Sequence, residues 1–133
     1  MLKTEERAAL IRAASQAREH AHAPYSHFRV GSALRDRSGR IFTGCNIENA
    51  TLGLTICAER VAVFKALSEG ARDFDAVAVV ADTERVTPPC GACRQILWEF
   101  CRDAEVILSN LGGQIEIRRV AELFPEGFDA SFL

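Results

Sequence analysis

The chain has 133 residues, of which 48% are hydrophobic and 26% are charged, and its formal net charge is -2 at pH 7. This length suffices for one domain with a buried core, so we expect residues 1–133 to form a single domain. The slightly acidic balance, without a run of basic residues, argues against DNA or RNA as a partner. No stretch approaches the ~20 apolar residues of a membrane span, and the start of the chain is acidic where a signal peptide would be apolar. We therefore expect a soluble, cytoplasmic protein.

The first third of the chain predicts a helix followed by two strands. Apolar residues recur at helical spacing over residues 5–20, and Pro24 ends that pattern. Residues 30–34 and 40–43 have the composition of strands. The turn between them, at 36–39, is so short that the two strands should be antiparallel.

Residues 57–68 predict a second helix, which is apolar almost all round, as a helix buried within the fold would be. Glu59 and Arg60 stand at its start, where burying a charge is costly unless the charge is paired or functional. The unbroken apolar run at residues 76–80 is typical of a central strand that is covered on both faces.

The remainder of the chain predicts a third helix, a closing hairpin and a final helical turn around residues 121–124. Pro88 and Pro89 interrupt the chain, and Pro89 suits the first turn of the helix that follows. Strands at 106–108 and 114–117 are joined by too few residues for a helical crossover, so they should be antiparallel. The order of elements indicates an α/β fold, a three-layer α/β/α sandwich around a mixed sheet of about five strands.

Three of the five cysteines stand in a pattern that suits a metal site. Cys90 and Cys93 would point to the same side of a helix N-terminus, and Cys57 begins the other buried helix. Because both helices would follow strands of one sheet, their N-termini can meet. Three thiolates can hold a tetrahedral zinc and leave its fourth position open for water, as in catalytic sites. Glu59 could reach that position and transfer protons without being a ligand.

Other kinds of site stay open at this point. A Cys-x-x-Cys pair also marks redox dithiols and structural zinc sites, although a thioredoxin-like role needs no third cysteine and leaves Glu59 unexplained. A structural zinc would need a fourth ligand, which Cys45 could supply. Cys101 would lie about 12 Å from Cys93 along its helix and is better interpreted as a small buried apolar residue. The histidines, which we interpret as surface or loop residues, are His20, His22 and His27.

The spacing of these residues resembles a known family. Cys-Ala-Glu at 57–59 followed by Pro-Cys-x-x-Cys at 89–93 is similar to the signature of the zinc-dependent deaminases. With Arg60 as the next residue, it resembles the small homotetrameric cytidine deaminases. The other segments that resemble this family, in the same order along the chain, are PYSHFRVG at 24–31, TGCNIENA at 43–50 and LFPEGF at 123–128. The chain departs from the family at Leu52, where many relatives carry an aromatic residue near subunit contacts.

The resemblance implies a role for each matching residue. Cys57, Cys90 and Cys93 would hold one zinc ion per subunit, Glu59 would transfer protons, and Arg60 would donate hydrogen bonds to the zinc thiolates. The substrate-binding residues that it implies are Phe28 against the pyrimidine ring, Asn46 and Glu48 on the ribose hydroxyls, the backbone of Ala58 on the base, and Phe128 in the site of a neighbouring subunit.

The activity implied by the resemblance is hydrolysis of free cytidine, and of 2′-deoxycytidine, to the uridine counterpart and ammonia in pyrimidine salvage, by a homotetramer. One alternative is a deaminase for another aminopyrimidine, such as blasticidin S or a cytosine nucleotide. A different class of alternative is a non-catalytic, zinc-stabilised binding domain. Without the resemblance, Asn46 and Glu48 could equally be interpreted as polar residues at the end of a strand, and Phe28 as an aromatic residue of the core.

Overall fold

The computed structural model describes all 133 residues, and every predicted helix and strand is present. The helices and strands are α1 (Thr4–Arg18), β1 (Val30–Asp36), β2 (Ile41–Cys45), α2 (Ala58–Ser68), β3 (Phe74–Ala81), α3 (Gly91–Phe100), β4 (Glu105–Asn110), β5 (Ile115–Arg119) and α4 (Val120–Leu123). Short 3₁₀ turns lie at Leu52–Leu54 and Ala130–Phe132. None of the helices combines the length and the apolar character needed to cross a membrane.

The strands form one mixed sheet of five in the order β2-β1-β3-β4-β5. β1 is antiparallel to both β2 and β3, β3 and β4 are parallel, and β4 is antiparallel to β5. Both predicted hairpins are therefore confirmed. Because β3 and β4 are parallel and α3 connects them, the carboxyl ends of the two strands lie at the same edge of the sheet, which is where open α/β sheets place their ligands.

Helices cover both faces of the sheet, which confirms the three-layer α/β/α architecture. On one face, Leu10 and the rest of the apolar side of α1 cluster with Ala78 and Val80 of β3. On the other face, the buried residues of α2 and α3 cluster with Val77 and Val79. Successive side chains of a strand point to opposite faces, so β3 is apolar throughout because both of its faces are buried.

Two glycines allow the helices to lie directly on the sheet. A Cβ at Gly31 of β1 would overlap the carbonyl oxygen of Ala14 in α1. A Cβ at Gly44 of β2 would lie 2.6 Å from both the carbonyl oxygen of Ala58 and the amide nitrogen of Ala62 in α2. Gly44 therefore determines how closely the N-terminus of α2 can approach the sheet.

The prediction that α2 is enclosed on all sides is only partly right. Its buried residues are Ala58, Glu59, Ala62, Val63 and Ala66. Phe64 on the outer side is 40% exposed, and Val61 and Leu67 are only partly buried. The apolar character of α2 thus exceeds what the fold of the single chain buries.

Candidate active site

The N-termini of α2 and α3 meet at one edge of the sheet and bring three cysteines together. Cys57 is the N-cap of α2, Cys90 is the N-cap of α3, and Cys93 lies in the first turn of α3. The Sγ atom of Cys90 lies 3.8 Å from that of Cys57 and 3.4 Å from that of Cys93. All three sulfurs lie within 4.8 Å of one another. The structure thus assembles the three residues predicted as ligands.

This triangle of sulfurs fits a tetrahedral zinc ion. Zinc–sulfur bonds of about 2.3 Å place the sulfurs of a tetrahedral site about 3.8 Å apart, which matches the separation of Cys57 from Cys90. No fourth cysteine, histidine or carboxylate joins the cluster. Cys45 and Cys101 both lie outside it, so the geometry suits a site whose fourth position is open.

The two remaining cysteines have the character of ordinary thiols. Cys101 is the buried C-cap of α3, and this burial raises the pKa of its thiol to about 12. Cys45 is half-buried at the end of β2, and burial raises the pKa of its thiol as well. All five cysteines are free.

The environment of Cys57 favours a thiolate. A hydrogen bond with Cys93 and a second one from Arg60, whose Nη2 lies 3.4 Å from the Cys57 sulfur, lower the pKa of Cys57 to about 5. The same interaction with Cys57 raises the pKa of Cys93, because the two sulfurs compete for one proton. The positive ends of two helix dipoles add to the preference for negative charge at this place.

Glu59 lies in the first turn of α2 with 5% of its surface exposed. None of the ion pairs of the chain includes it. Burial without such a partner raises the pKa of its carboxyl to about 7. A carboxyl that titrates near neutral pH and faces a cavity is suited both to accept and to release a proton.

A cavity of about 230 Å³ opens beside the cysteines and Glu59. The predicted site residues that line it are Phe28, Asn46, Glu48, Cys57, Ala58, Glu59 and Cys90. The lining residues that sequence reasoning did not single out are Ser26, Val30, Thr55, Ile56, Val79, Thr87 and Pro88. Ser26 belongs to the segment 24–31 and could have been found there, whereas nothing in the sequence marks Thr87.

A larger cavity of about 900 Å³ lies at the other end of the strands. It contains neither the cysteines nor Glu59, and its walls are mostly charged. These charges compensate one another, since Arg35 pairs with Glu6 and with Asp75. The smaller cavity is therefore the candidate active site, because it lies beside the cysteine cluster and contains a buried carboxyl without an ion-pair partner.

The side chain of Asn46 is held by backbone groups on either side of residue 29. Its Oδ1 accepts a hydrogen bond from the N–H of Val30 at 2.8 Å, and its Nδ2 donates to the carbonyl oxygen of Phe28 at 2.7 Å. Since a backbone N–H requires an acceptor and a carbonyl requires a donor, only one orientation of the amide satisfies both bonds. One hydrogen of Nδ2 is left for the cavity.

The carboxylate of Glu48 is bound by a turn that precedes β1. Its Oε1 accepts the N–H groups of Tyr25 at 2.9 Å and Ser26 at 3.1 Å, and its Oε2 accepts the hydroxyl of Ser26. The Ser26 hydroxyl is the main cause that lowers the pKa of Glu48. Glu48 is therefore a carboxylate, and not a carboxylic acid, at neutral pH.

The two aromatic residues predicted for substrate binding lie in different places. Phe28 lies on the wall of the cavity and is 41% exposed. Phe128 does not line this cavity. Its ring stacks on that of Phe132, with 5.6 Å between the ring centroids. Its predicted place in the site of a neighbouring subunit stays a prediction. The histidines are all exposed, as interpreted from the sequence: His20, His22 and His27.

Comparison with known proteins gives a consistent result. Residues 4–109 match the sequence profile of the cytidine and deoxycytidylate deaminase zinc-binding region. A cytidine deaminase from Halalkalibacterium halodurans is 56% identical over 94% of this chain and 96% of its own length. A cytidine deaminase from Sporosarcina psychrophila is 54% identical over 90% of this chain and 88% of its own length. The crystal structure of a cytidine deaminase from Burkholderia pseudomallei superposes with a TM-score of 0.90 at 46% identity, covering 96% of this chain and all of that one.

Proposed function

The chain belongs to the cytidine and deoxycytidylate deaminase family, and from this membership we propose that it hydrolyses free cytidine, and 2′-deoxycytidine, to uridine or deoxyuridine and ammonia. One observation carries the proposal. One cavity is lined by Glu59, a buried carboxyl that has no ion-pair partner, and by Cys57 and Cys90, two members of a triangle of cysteine sulfurs that has no fourth ligand.

Cys57, Cys90 and Cys93 would hold one zinc ion per chain. When it is bound, zinc supplies the Lewis acidity that lets a water molecule lose a proton near neutral pH. Three thiolates around a divalent cation leave a net negative charge. Arg60, which already donates to the Cys57 sulfur, and the two helix N-termini would partly offset that charge.

Glu59 would carry the protons of the reaction. Hydrolysis at C4 forms a bond from carbon to the oxygen of water and breaks the bond from carbon to the amino nitrogen. Glu59 would take one proton from the water and deliver it to N3 of the ring. It would then take the second proton from the hydroxyl added at C4 and deliver it to the amino group, which leaves as ammonia while C4 becomes a carbonyl. A group that accepts and then releases a proton works best when its pKa lies near the working pH, and burial raises the pKa of Glu59 to about 7.

The other cavity residues would position a nucleoside. Phe28 would pack against the pyrimidine ring, and Asn46 and Glu48 would bind the ribose hydroxyls. Ala58 is the first residue of α2, where backbone N–H groups have no helical partner, so its backbone would contact the base. No lysine or arginine lines the cavity. This supports a free nucleoside over a nucleotide or a nucleic acid, because a phosphate would find no cation there.

We also propose a homotetramer in which Phe128 completes the site of a neighbouring subunit. Apolar side chains that the single chain leaves exposed support this assembly: Ile47, Leu52, Leu54, Phe64, Phe128 and Phe132. Leu52, which stands where many relatives carry an aromatic residue, is 69% exposed and would lie in such an interface. A cytoplasmic location is consistent with five free cysteines, and pyrimidine salvage would be the pathway that uses the products.

The test is to incubate the purified protein with cytidine, to follow the ultraviolet change as the base becomes uracil, and to measure the metal in the same sample. We expect about one zinc per chain, loss of turnover on chelation, and recovery on adding zinc back. Blasticidin S and cytidine 5′-monophosphate are assayed in parallel. Turnover of one of these without turnover of cytidine would select that alternative. Bound zinc without turnover of any substrate would favour the non-catalytic binding domain.

A further inference from the structure

The turn that precedes β1 directs three hydrogen-bond donors at one carboxylate. They are the N–H of Tyr25, the N–H of Ser26 and the hydroxyl of Ser26, and their common acceptor is the side chain of Glu48. A carboxylate has about four lone-pair positions for hydrogen bonds. The two amides occupy both positions of Oε1, and the hydroxyl occupies one position of Oε2. A single acceptor position, on Oε2, is left for a substrate hydroxyl.

The hydroxyl of Ser26 makes a second hydrogen bond, as an acceptor. It receives the N–H of Phe28 at 3.0 Å, so its own hydrogen is free to point at Glu48. A chain of hydrogen bonds thus runs from the backbone of Phe28 through Ser26 to Glu48. It joins the aromatic wall of the cavity to the carboxylate that would bind the ribose, and all three residues line that cavity.

The backbone between these residues needs such support. His27, between Ser26 and Phe28, has a φ of 59° and therefore lies in the left-handed region, which is unfavourable for a residue other than glycine. The bonds of Ser26 on one side of His27 stabilise this conformation. On the other side, Asn46 accepts from Val30 and donates to Phe28.

We propose that Ser26 is a positioning residue of the ribose site: its hydroxyl orients Glu48 so that the one free lone pair of the carboxylate faces the substrate. The inference rests on the proposed function. It assigns to Ser26 a role that acts on the substrate through Glu48.

The expected consequence is a defect in binding and not in chemistry. Removing the hydroxyl takes away the only protein hydrogen bond on Oε2 and leaves the N–H of Phe28 without its acceptor. A hydrogen bond to a charged group corresponds to about tenfold in affinity or somewhat more. The ribose lies away from the reacting C4 atom, so we expect its contacts to be similar in the ground state and the transition state. KM should then rise, and kcat should change by about twofold or less.

The experiment compares Ser26→Ala with Ser26→Thr, which keeps a hydroxyl, on cytidine and on 2′,3′-dideoxycytidine, which lacks both ribose hydroxyls available to Glu48. We expect Ser26→Ala to raise the KM for cytidine about tenfold, and Ser26→Thr to restore most of that loss. With the dideoxy substrate, the two variants and the wild type should differ by about twofold or less. The matched control is Ser38→Ala, since Ser38 also donates its hydroxyl to a carboxylate, that of Asp36, but lies outside the cavity.

A second measurement separates positioning from a general loss of structure. In a Glu48→Gln background, Ser26→Ala should change the KM for cytidine far less than in the wild type, because the two residues act as one unit. An unchanged KM for Ser26→Ala, or an equal loss on both substrates, would overturn this inference while the wild-type turnover upholds the proposed function. Absence of wild-type turnover would overturn both.

Discussion

Two buried glutamates lie at opposite ends of the strands, and only one of them has a cationic partner. Glu105, at the start of β4, is 4% exposed and receives both Nε and Nη2 of Arg7 at 3.0 Å. Burial alone would raise its pKa, but the hydrogen bonds and charge of Arg7 more than offset this, so the pKa lies below its ordinary value. Glu59, at the start of α2, is 5% exposed and has no ion pair, and its pKa is raised to about 7.

The comparison shows how a buried carboxylate with a structural role differs from one with a functional role in this fold. A buried carboxylate that only has to be stable is compensated by a cation and by a backbone N–H, here that of Leu2. A buried carboxylate that is left without a cation destabilises the fold, and it persists where it faces a cavity and a cluster of sulfurs. Burial alone does not separate these two glutamates, because their exposed fractions are nearly equal. What separates them is the presence of a partner.

The largest expected effect is that of Glu59→Gln on turnover. The amide keeps the shape of the side chain but cannot transfer protons, so kcat for cytidine should fall by about a thousandfold or more. The zinc content should stay at the wild-type level, because Glu59 is not part of the cluster of ligands. Steady-state kinetics and metal analysis of the same preparation measure both quantities. Normal turnover in this variant would show that Glu59 does not transfer the protons of the reaction.

The second effect is that of Glu105→Gln on stability. The substitution leaves the Arg7 guanidinium, which is 20% exposed, without its counter-charge, so the free energy of unfolding at pH 7 should fall by about 2 kcal/mol. Turnover should change by less than about twofold. Urea denaturation and the cytidine assay measure the two quantities. The control is Glu99→Gln, which removes an exposed glutamate of α3 that has no ion pair.

The stability lost in Glu105→Gln should shrink as the pH falls into the acid range. The folded pKa of Glu105 is depressed, so its contribution to stability is complete above its ordinary pKa and is lost as the pH falls through the folded value. For Glu59 the folded pKa is raised, so this carboxyl reduces stability progressively as the pH rises from 4.5 toward about 7. In metal-free protein, Glu59→Gln should therefore not destabilise the fold at neutral pH. Equal losses of stability in the two variants would contradict the distinction drawn here.

The smallest effect concerns Asp36, a paired carboxylate in the turn after β1. It accepts hydrogen bonds from Ser38 and Arg40, and chiefly the Ser38 hydroxyl lowers its pKa to about 2. Asp36→Asn should reduce stability by less than Glu105→Gln does, because its partner Arg40 is 61% exposed and stays solvated without a counter-charge, whereas Arg7 is 20% exposed. This loss applies at every pH above the ordinary value of 3.8. The difference from the wild type should shrink as the pH falls toward about 2, where the wild-type carboxyl becomes neutral too. Urea denaturation over this pH range measures it, and a constant difference would refute the assigned pKa.

The order of elements and the assembly of the cysteine cluster could be predicted from the sequence because both follow from local patterns. Alternation and helical periodicity mark the strands and helices, and short connections determine which strands are antiparallel. The three-residue spacing of Cys90 and Cys93 places both at one helix start. Cys57 begins a helix beside the same sheet, so the topology brings it to the same edge.

The partners of individual charged side chains could not be predicted, because they depend on contacts between distant parts of the chain. Arg7 and Glu105 are 98 residues apart, and no periodicity connects them. Sequence patterns likewise do not show that Ser26 donates to Glu48, 22 residues away. The exposure of Phe64 was missed for a related reason. An apolar run shows that a surface needs to be covered, but it does not show whether the same chain covers it.

Gly44 does not line the cavity, yet it constrains the residues that the start of α2 contributes to it. A methyl group there would meet the backbone of α2 at Ala58 and Ala62, and the helix would have to move away from β2. Such a movement would carry Cys57 away from the two cysteines of α3, whose position depends on a different strand. The dimensions of the cysteine cluster thus depend in part on the absence of a side chain at one position of the sheet, so a substitution there can change the geometry of the site without altering any reacting group.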